Sequence, residues 1–149
     1  MALGEGWTSR LLTGLAEHLA ANGVGAWRPN GPSYTANEVG IVIRAIPATP
    51  DRIITLAAYP VNAGLPGLAD ITTGVQIRCR GTVDPRVVED VGDAAFDLLD
   101  GATGLTWGGI PVVQVYRQSY APLGSDGNGR WESSHNYYVD AMRPTVNRT

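Results

Sequence analysis

Residues 75–81, Val-Gln-Ile-Arg-Cys-Arg-Gly, alternate apolar and polar side chains almost without a break. Strand side chains repeat every two residues, so Val75, Ile77 and Cys79 point one way and Gln76, Arg78 and Arg80 the other. A strand with one dry face and one wet face belongs in an antiparallel sheet covered on a single side. Shortly after it, Asp84-Pro85 opens a helix. Aspartate accepts from free amides at an N-cap, and proline lacks an N–H that the first helical turn does not use. Val87, Val88, Val91, Ala94, Ala95, Leu98 and Leu99 then form an apolar stripe able to lie on the dry face. Glu89, Asp90, Asp93, Asp97 and Asp100 take the remaining positions, and Gly101 is placed for a left-handed cap.

The other elements are read around this strand–helix unit. Residues 9–22 form a helix capped by Thr8 or Ser9, with Leu11, Leu12, Leu15 and Leu19 on one side. Residues 39–46 are a strand, 47–51 a proline-rich turn, and 53–59 the expected antiparallel partner. Residues 60–74 read as a long connection, of a length that is uncommon in compact domains and often functional. Strands follow at 111–118 and 133–142, joined by a glycine-rich loop. The order is α-β-β-β-α-β-β. The fold class expected is α+β: one mainly antiparallel sheet of about five strands, with two helices packed on one face. The chain of 149 residues is expected to be a single domain spanning 1–149.

Composition narrows the function. A hydrophobic share of 44% supports a real core, and a net charge of −3 argues against free-standing nucleic-acid binding. Every basic residue is an arginine. With Cys79 the one cysteine, no disulfide and no cysteine-based zinc site forms within one chain. No membrane-spanning run and no signal peptide is read, so assembly in a cytoplasm is expected.

No catalytic group stands out. In the loop Gly-Ser-Asp126-Gly-Asn128-Gly-Arg130, the first and third positions suit calcium. Arg130 at the fifth and Tyr137 at the twelfth break the pattern. His18 reads as a helix-surface residue, His135 as a sheet-face residue and Cys79 as a buried thiol. A hydrolase using His135 and Asp140 is the remote enzyme alternative, and a small ligand-binding α+β domain is another. The residues read as interaction surface are Arg78 and Arg80 on the wet face of the strand and Asp93 and Asp97 on the acidic helix. Arg130 and Trp131 at the glycine-rich loop join them, since tryptophan and arginine are enriched at interface hot spots.

Several segments together resemble a known family. They are "LLTGLAEHLAANGVGAWRP", "GIVIRAI", "RIITLAAYPV", "GVQIRCRGTVDPRVVEDVGDAAFDLL" and "SYAPLGSDGNGRWESSHNYYVDAMRPT". Nearly the whole chain is similar to the tail terminator or minor capsid proteins of long-tailed bacteriophages. The resemblance implies a structural virion protein, not an enzyme, that forms a six-membered ring without a cofactor. The ring would cap the tail tube and stop its growth. It would sit at the head–tail junction of the virion and offer a surface to the head's connector. Its implied partners are further copies of itself, the tail tube protein and a head completion protein. The genome would pass through the lumen without sequence-specific binding. A head completion or neck subunit is the alternative within the same assembly. No family motif fixes the contact residues; from the charges alone, Arg78 and Asp93 are expected to meet across a ring contact, and residues 124–130 to order only when a neighbouring ring docks.

Overall fold

The computed structural model describes residues 1–62 and 64–149. Its elements are α1 (Trp7–Ala21), β1 (Ala26–Trp27), β2 (Gly40–Ile43), β3 (Ile53–Asn62), β4 (Asp70–Arg80), α2 (Pro85–Leu99), β5 (Thr103–Trp107), β6 (Ile110–Ser125) and β7 (Trp131–Met142). The strands form one seven-stranded sheet in the order β1-β2-β3-β4-β7-β6-β5. The α+β class and the two helices stand as expected. The sheet has more strands than expected and is mixed rather than antiparallel throughout.

The main correction lies at β2 and β3. They run parallel, with Gly40 opposite Ile53 and Ile43 opposite Leu56. The proline-rich segment between them is therefore not a hairpin turn. It carries the chain back along the sheet. Arg44 reverses direction with φ 61, Thr55 donates its hydroxyl to the Ala45 carbonyl, and buried Arg80 holds the rest. Such short crossovers are unusual for parallel pairs. This one suffices because β2 is only four residues long.

The expected long connection at 60–74 shrinks as well. β3 continues to Asn62 and β4 begins at Asp70, with Pro60 opposite Thr73. Gly74 lies under the Tyr59 ring, where a Cβ would stand 2.3 Å from ring carbons. The aromatic covers a glycine that would otherwise weaken the strand.

Both helices pack on one face of the sheet, and their apolar stripes meet a single core. α1 contributes Leu11, Leu15, Ala16 and Leu19. α2 contributes Val88, Val91, Ala95 and Leu99. Ile54, Leu56, Val75, Ile77, Cys79, Tyr137 and Val139 face them from the sheet. α2 lies over the middle strands, β4, β7 and β6. α1 touches β1, β2 and β3 at one edge of the sheet and β5 and β6 at the other. The sheet thus curls around the helices, and α1 closes the gap between its edges.

Candidate assembly surfaces

The helix side carries an acidic surface. α2 starts where expected: the Asp84 side chain accepts from the Arg86 amide, and Pro85 is the first helical residue. The Arg86 side chain and amide hold the Asp84 carboxyl down at about 2. Glu89, Asp90, Asp93, Asp97 and Asp100 are all exposed along α2 and its end. Glu89, Asp93 and Asp97 recur at i, i+4 and i+8, so they stand in one row, and like charges in such a row repel. The last turn holds no basic residue. The negative pole of the helix dipole therefore adds to this repulsion instead of relieving it.

The opposite face of the sheet has no helix over it. Gln76 donates to Ser134 at 3.0 Å, Asn136 donates to Ser119 at 3.0 Å, and Asp140 accepts from Thr72 and Gln114. Arg78 stands among them as expected, with its side chain 36% exposed and paired to Glu132 at 3.2 Å. Its Nε is buried without a partner. Arg78, Gln76, Tyr59, Thr55, Ile46 and Arg44 line a hollow of about 400 Å³.

Arg80 and Arg130 depart from expectation. Arg80 shares the face of Arg78, yet it is only 3% exposed. The returning segment 44–52 covers it and takes its guanidinium: Nε donates to Asp51 O, and Nη2 to Pro47 O and Pro50 O. Burial, and then the charge of Arg130, push its pKa down. Arg130 is 8% exposed and grips the same segment, donating to Ala48 O and to Asp51 Oδ1. Both are internal braces, because the crossover has moved water away from them.

The glycine-rich loop is also shorter than expected. β6 reaches Ser125 and β7 begins at Trp131. Asp126 organises what remains. Its Oδ1 accepts from the amides of Asn128 and Arg130, and its Oδ2 from Arg130 Nε. The turn is thus held by hydrogen bonds within its own chain. Trp131 beside it is 38% exposed, and its indole N–H donates to Val83 O.

His135 and Asp140 are not brought together. Their odd separation on β7 puts His135 on the helix side and Asp140 on the open side. His135 is 3% exposed and lies beneath Gly92 of α2. Its Nε2 is 3.0 Å from the Ser133 hydroxyl, and its Nδ1 faces Arg117. Burial, with the Arg117 charge, lowers it to about 4. Cys79 is buried and burial pushes its thiol up to about 12. These groups form a packed polar seam under a helix, not an open catalytic cleft.

Sequence reasoning missed Arg44. It looked like one polar residue at the end of a strand, and nothing local marks its left-handed backbone. It also missed the concentration of apolar side chains at one end of the sheet. Val61, Leu65 and Leu68 at the β3–β4 turn are exposed, as is Val146 in the terminal segment. That segment is fastened to the turn by Thr149 N donating to Gly67 O. A groove of about 790 Å³ lined by Trp7, Tyr59, Ile71 and Arg143 lies there.

No curated protein matches the chain. Among solved structures, one similar chain comes from the virion of a native gene transfer agent particle. The two share 14% identity and a TM-score of 0.57, over 68% of this chain and 78% of that one. That likeness concerns the fold. The family model described as bacteriophage tail terminator protein matches residues 18–142. This span takes in every strand, all of α2 and the end of α1, so the chain belongs to the bacteriophage tail terminator family of structural virion proteins.

Proposed function

We propose that the chain assembles into a ring of six copies that caps the phage tail tube, ends its polymerisation and presents a surface to the head's connector. The observation that carries this reading is the family match over residues 18–142. The geometry supports it. An acidic helix lies on one side of the sheet and an arginine-bearing hollow on the other. Unlike surfaces on opposite sides of one subunit suit a heterologous, head-to-tail contact, which closes into a ring when the rotation allows. The two ends of the sheet are then free for the neighbours above and below. One end carries Trp131 and Val83, and the other carries Val61, Leu65 and Leu68. The partners are thus the same chain, the tail tube protein and a head completion protein. The genome crosses the lumen without being read, and no cofactor takes part. The ring forms in the host cytoplasm and remains in the virion at the head–tail junction.

Electron microscopy of a lysate from phage lacking this gene tests the proposal. Overlong tails unattached to heads are the expected result. Tails of normal length beside DNA-filled, tailless heads would move the protein to a neck position on the head side. Normal virions would overturn the reading.

A further inference from the structure

Arg44 differs from every other arginine in the chain. Arg28 pairs with Glu38, Arg78 with Glu132, Arg86 with Asp84, and Arg130 with Asp51 and Asp126. Arg80 is bound by backbone carbonyls. Arg10 and Arg52 donate to carbonyls. Arg117 and Arg143 lie over aromatic rings, and Arg148 donates to Leu65 O and Leu68 O. The Arg44 side chain is exposed and makes no such contact among the described residues. Its backbone is also the only non-glycine one among them with positive φ, at 61°. That conformation is uncommon for residues with a Cβ. Arg44 lines the same hollow as Arg78.

The same chain carries the matching anion. The row Glu89, Asp93 and Asp97 lies across the sheet from this hollow, with no basic residue in the last turn of α2. A guanidinium arriving from outside would relieve both the mutual repulsion of the row and its clash with the helix dipole. Resting on the ring-forming reading above, we propose that the Arg44–Arg78 hollow is the receptor for Asp93 and Asp97 on α2 of the adjacent copy. Arg44 makes the intermolecular ion pair. Arg78, already bridged to Glu132, forms the floor. Ile46, 49% exposed, covers the contact from water. A nucleic-acid phosphate chain is the poorer occupant. It calls for a basic stripe, whereas this hollow offers two cations, one already neutralised, on a chain of net charge −3.

The test uses two variants of the full chain, R44E and D93R/D97R. Each alone places like charges across every contact. Mixed in equal amounts, they restore opposite charges at every contact of an alternating even-membered ring: Glu against Arg in one contact and Arg against Asp in the next. Ring assembly of the purified proteins is followed by sedimentation and negative-stain microscopy, with circular dichroism checking the fold. The substituted side chains are all exposed, so folding should be kept. The expected result is that each variant alone needs roughly tenfold more protein or higher to assemble, while the mixture assembles like wild type. R44E assembling like wild type would overturn the contact and leave the ring reading intact. If its rings are normal but it no longer retains DNA, phosphate is the occupant instead. If they are normal but fail to join purified tail tubes, the occupant is the tube protein. Absence of rings from the wild type would sink the ring reading itself, and the contact with it.

Discussion

The two helices reach the same core by different means. α1 has no side-chain cap at Gly6, and its position is set by tertiary contact. At Gly14 it comes so close to the β5–β6 turn that a Cβ would lie 2.3 Å from the Gly108 amide nitrogen. Gly108 meets it in the same way, its own Cβ position being 2.2 Å from Arg10 O. α2 is specified locally, by Asp84 and Pro85. In its first turn its backbone lies close to Gly81, where a Cβ would stand 2.5 Å from the Val88 amide nitrogen, but at Gly92 it meets a side chain, the His135 ring, at 2.8 Å. The helix that bridges the sheet edges is locked backbone to backbone. The helix proposed to carry the ring contact is held by backbone contact in its first turn, and its middle rests on a polar seam that has room to adjust. Local sequence signals place α2, while α1 is placed by the fold that it closes.

Substitutions sharpen this contrast. Gly14→Ala should have the largest effect, a loss of about 3 kcal/mol, because neither backbone can yield without opening the sheet. Urea unfolding measures it. A loss below about 1 kcal/mol would mean that the edges are not locked through α1. Gly92→Ala should cost less, about 1–2 kcal/mol. The His135 ring can shift, and alanine regains roughly 1 kcal/mol of helix propensity.

The seam beneath α2 should also make stability depend on pH. Burial, aided by Arg117, keeps His135 at about 4, below its ordinary 6.5. Above pH 6.5 it is neutral in both folded and unfolded chains, and stability does not change on its account. As pH falls from 6.5 toward 4, the unfolded chain takes up the proton and the folded chain does not, so stability is lost. His135→Gln should flatten most of that slope. His18, also lowered by burial, contributes in the same direction, and Glu38, Asp84 and Asp126, held low by their hydrogen bonds, add to the loss as pH approaches 4. An unchanged slope would mean that the seam is open to water. The smallest effect is expected from Asp84→Ala, a fall in Tm of a few degrees, since one cap on one helix is lost.

What the sequence showed and what it hid follow the same division. β4 and α2 were legible because period-two alternation and an Asp-Pro cap act within a few residues. The faces of Arg78, Asp93 and Asp97 were legible for the same reason. β1 escaped because Ala26–Trp27 is too short to show a period. β5 escaped because Thr-Gly-Leu-Thr-Trp has a glycine at its second position. The direction of β3 was misread because a Pro-Ala-Thr-Pro-Asp turn looks the same whether the chain reverses or returns. Arg80 was placed on the correct face and still misjudged. What covers it is segment 44–52, whose path is decided by the parallel pairing of β2 with β3. The start of β4 was obscured by Gly74, although Ile71-Thr72-Thr73 before it is a β-branched run of the kind strands favour.

The sheet order carries a consequence for how the molecule is made. β3–β4, β5–β6 and β6–β7 are neighbours in sequence as well as in space, so each can close as a local hairpin on the microsecond scale. The pairing of β4 with β7, from Asp70 opposite Met142 to Arg80 opposite Glu132, is different. It joins an N-terminal half to a C-terminal half across all of α2 and β5–β6. Closing so large a loop carries an entropy cost before its contacts are gained. The chain should therefore pass its folding barrier at this seam, with two preformed half-sheets meeting beneath α2. Until they meet, His135 is uncovered and Asp93 and Asp97 are not yet set across the sheet from Arg44. Competence to join a ring would thus be acquired late, by complete subunits only.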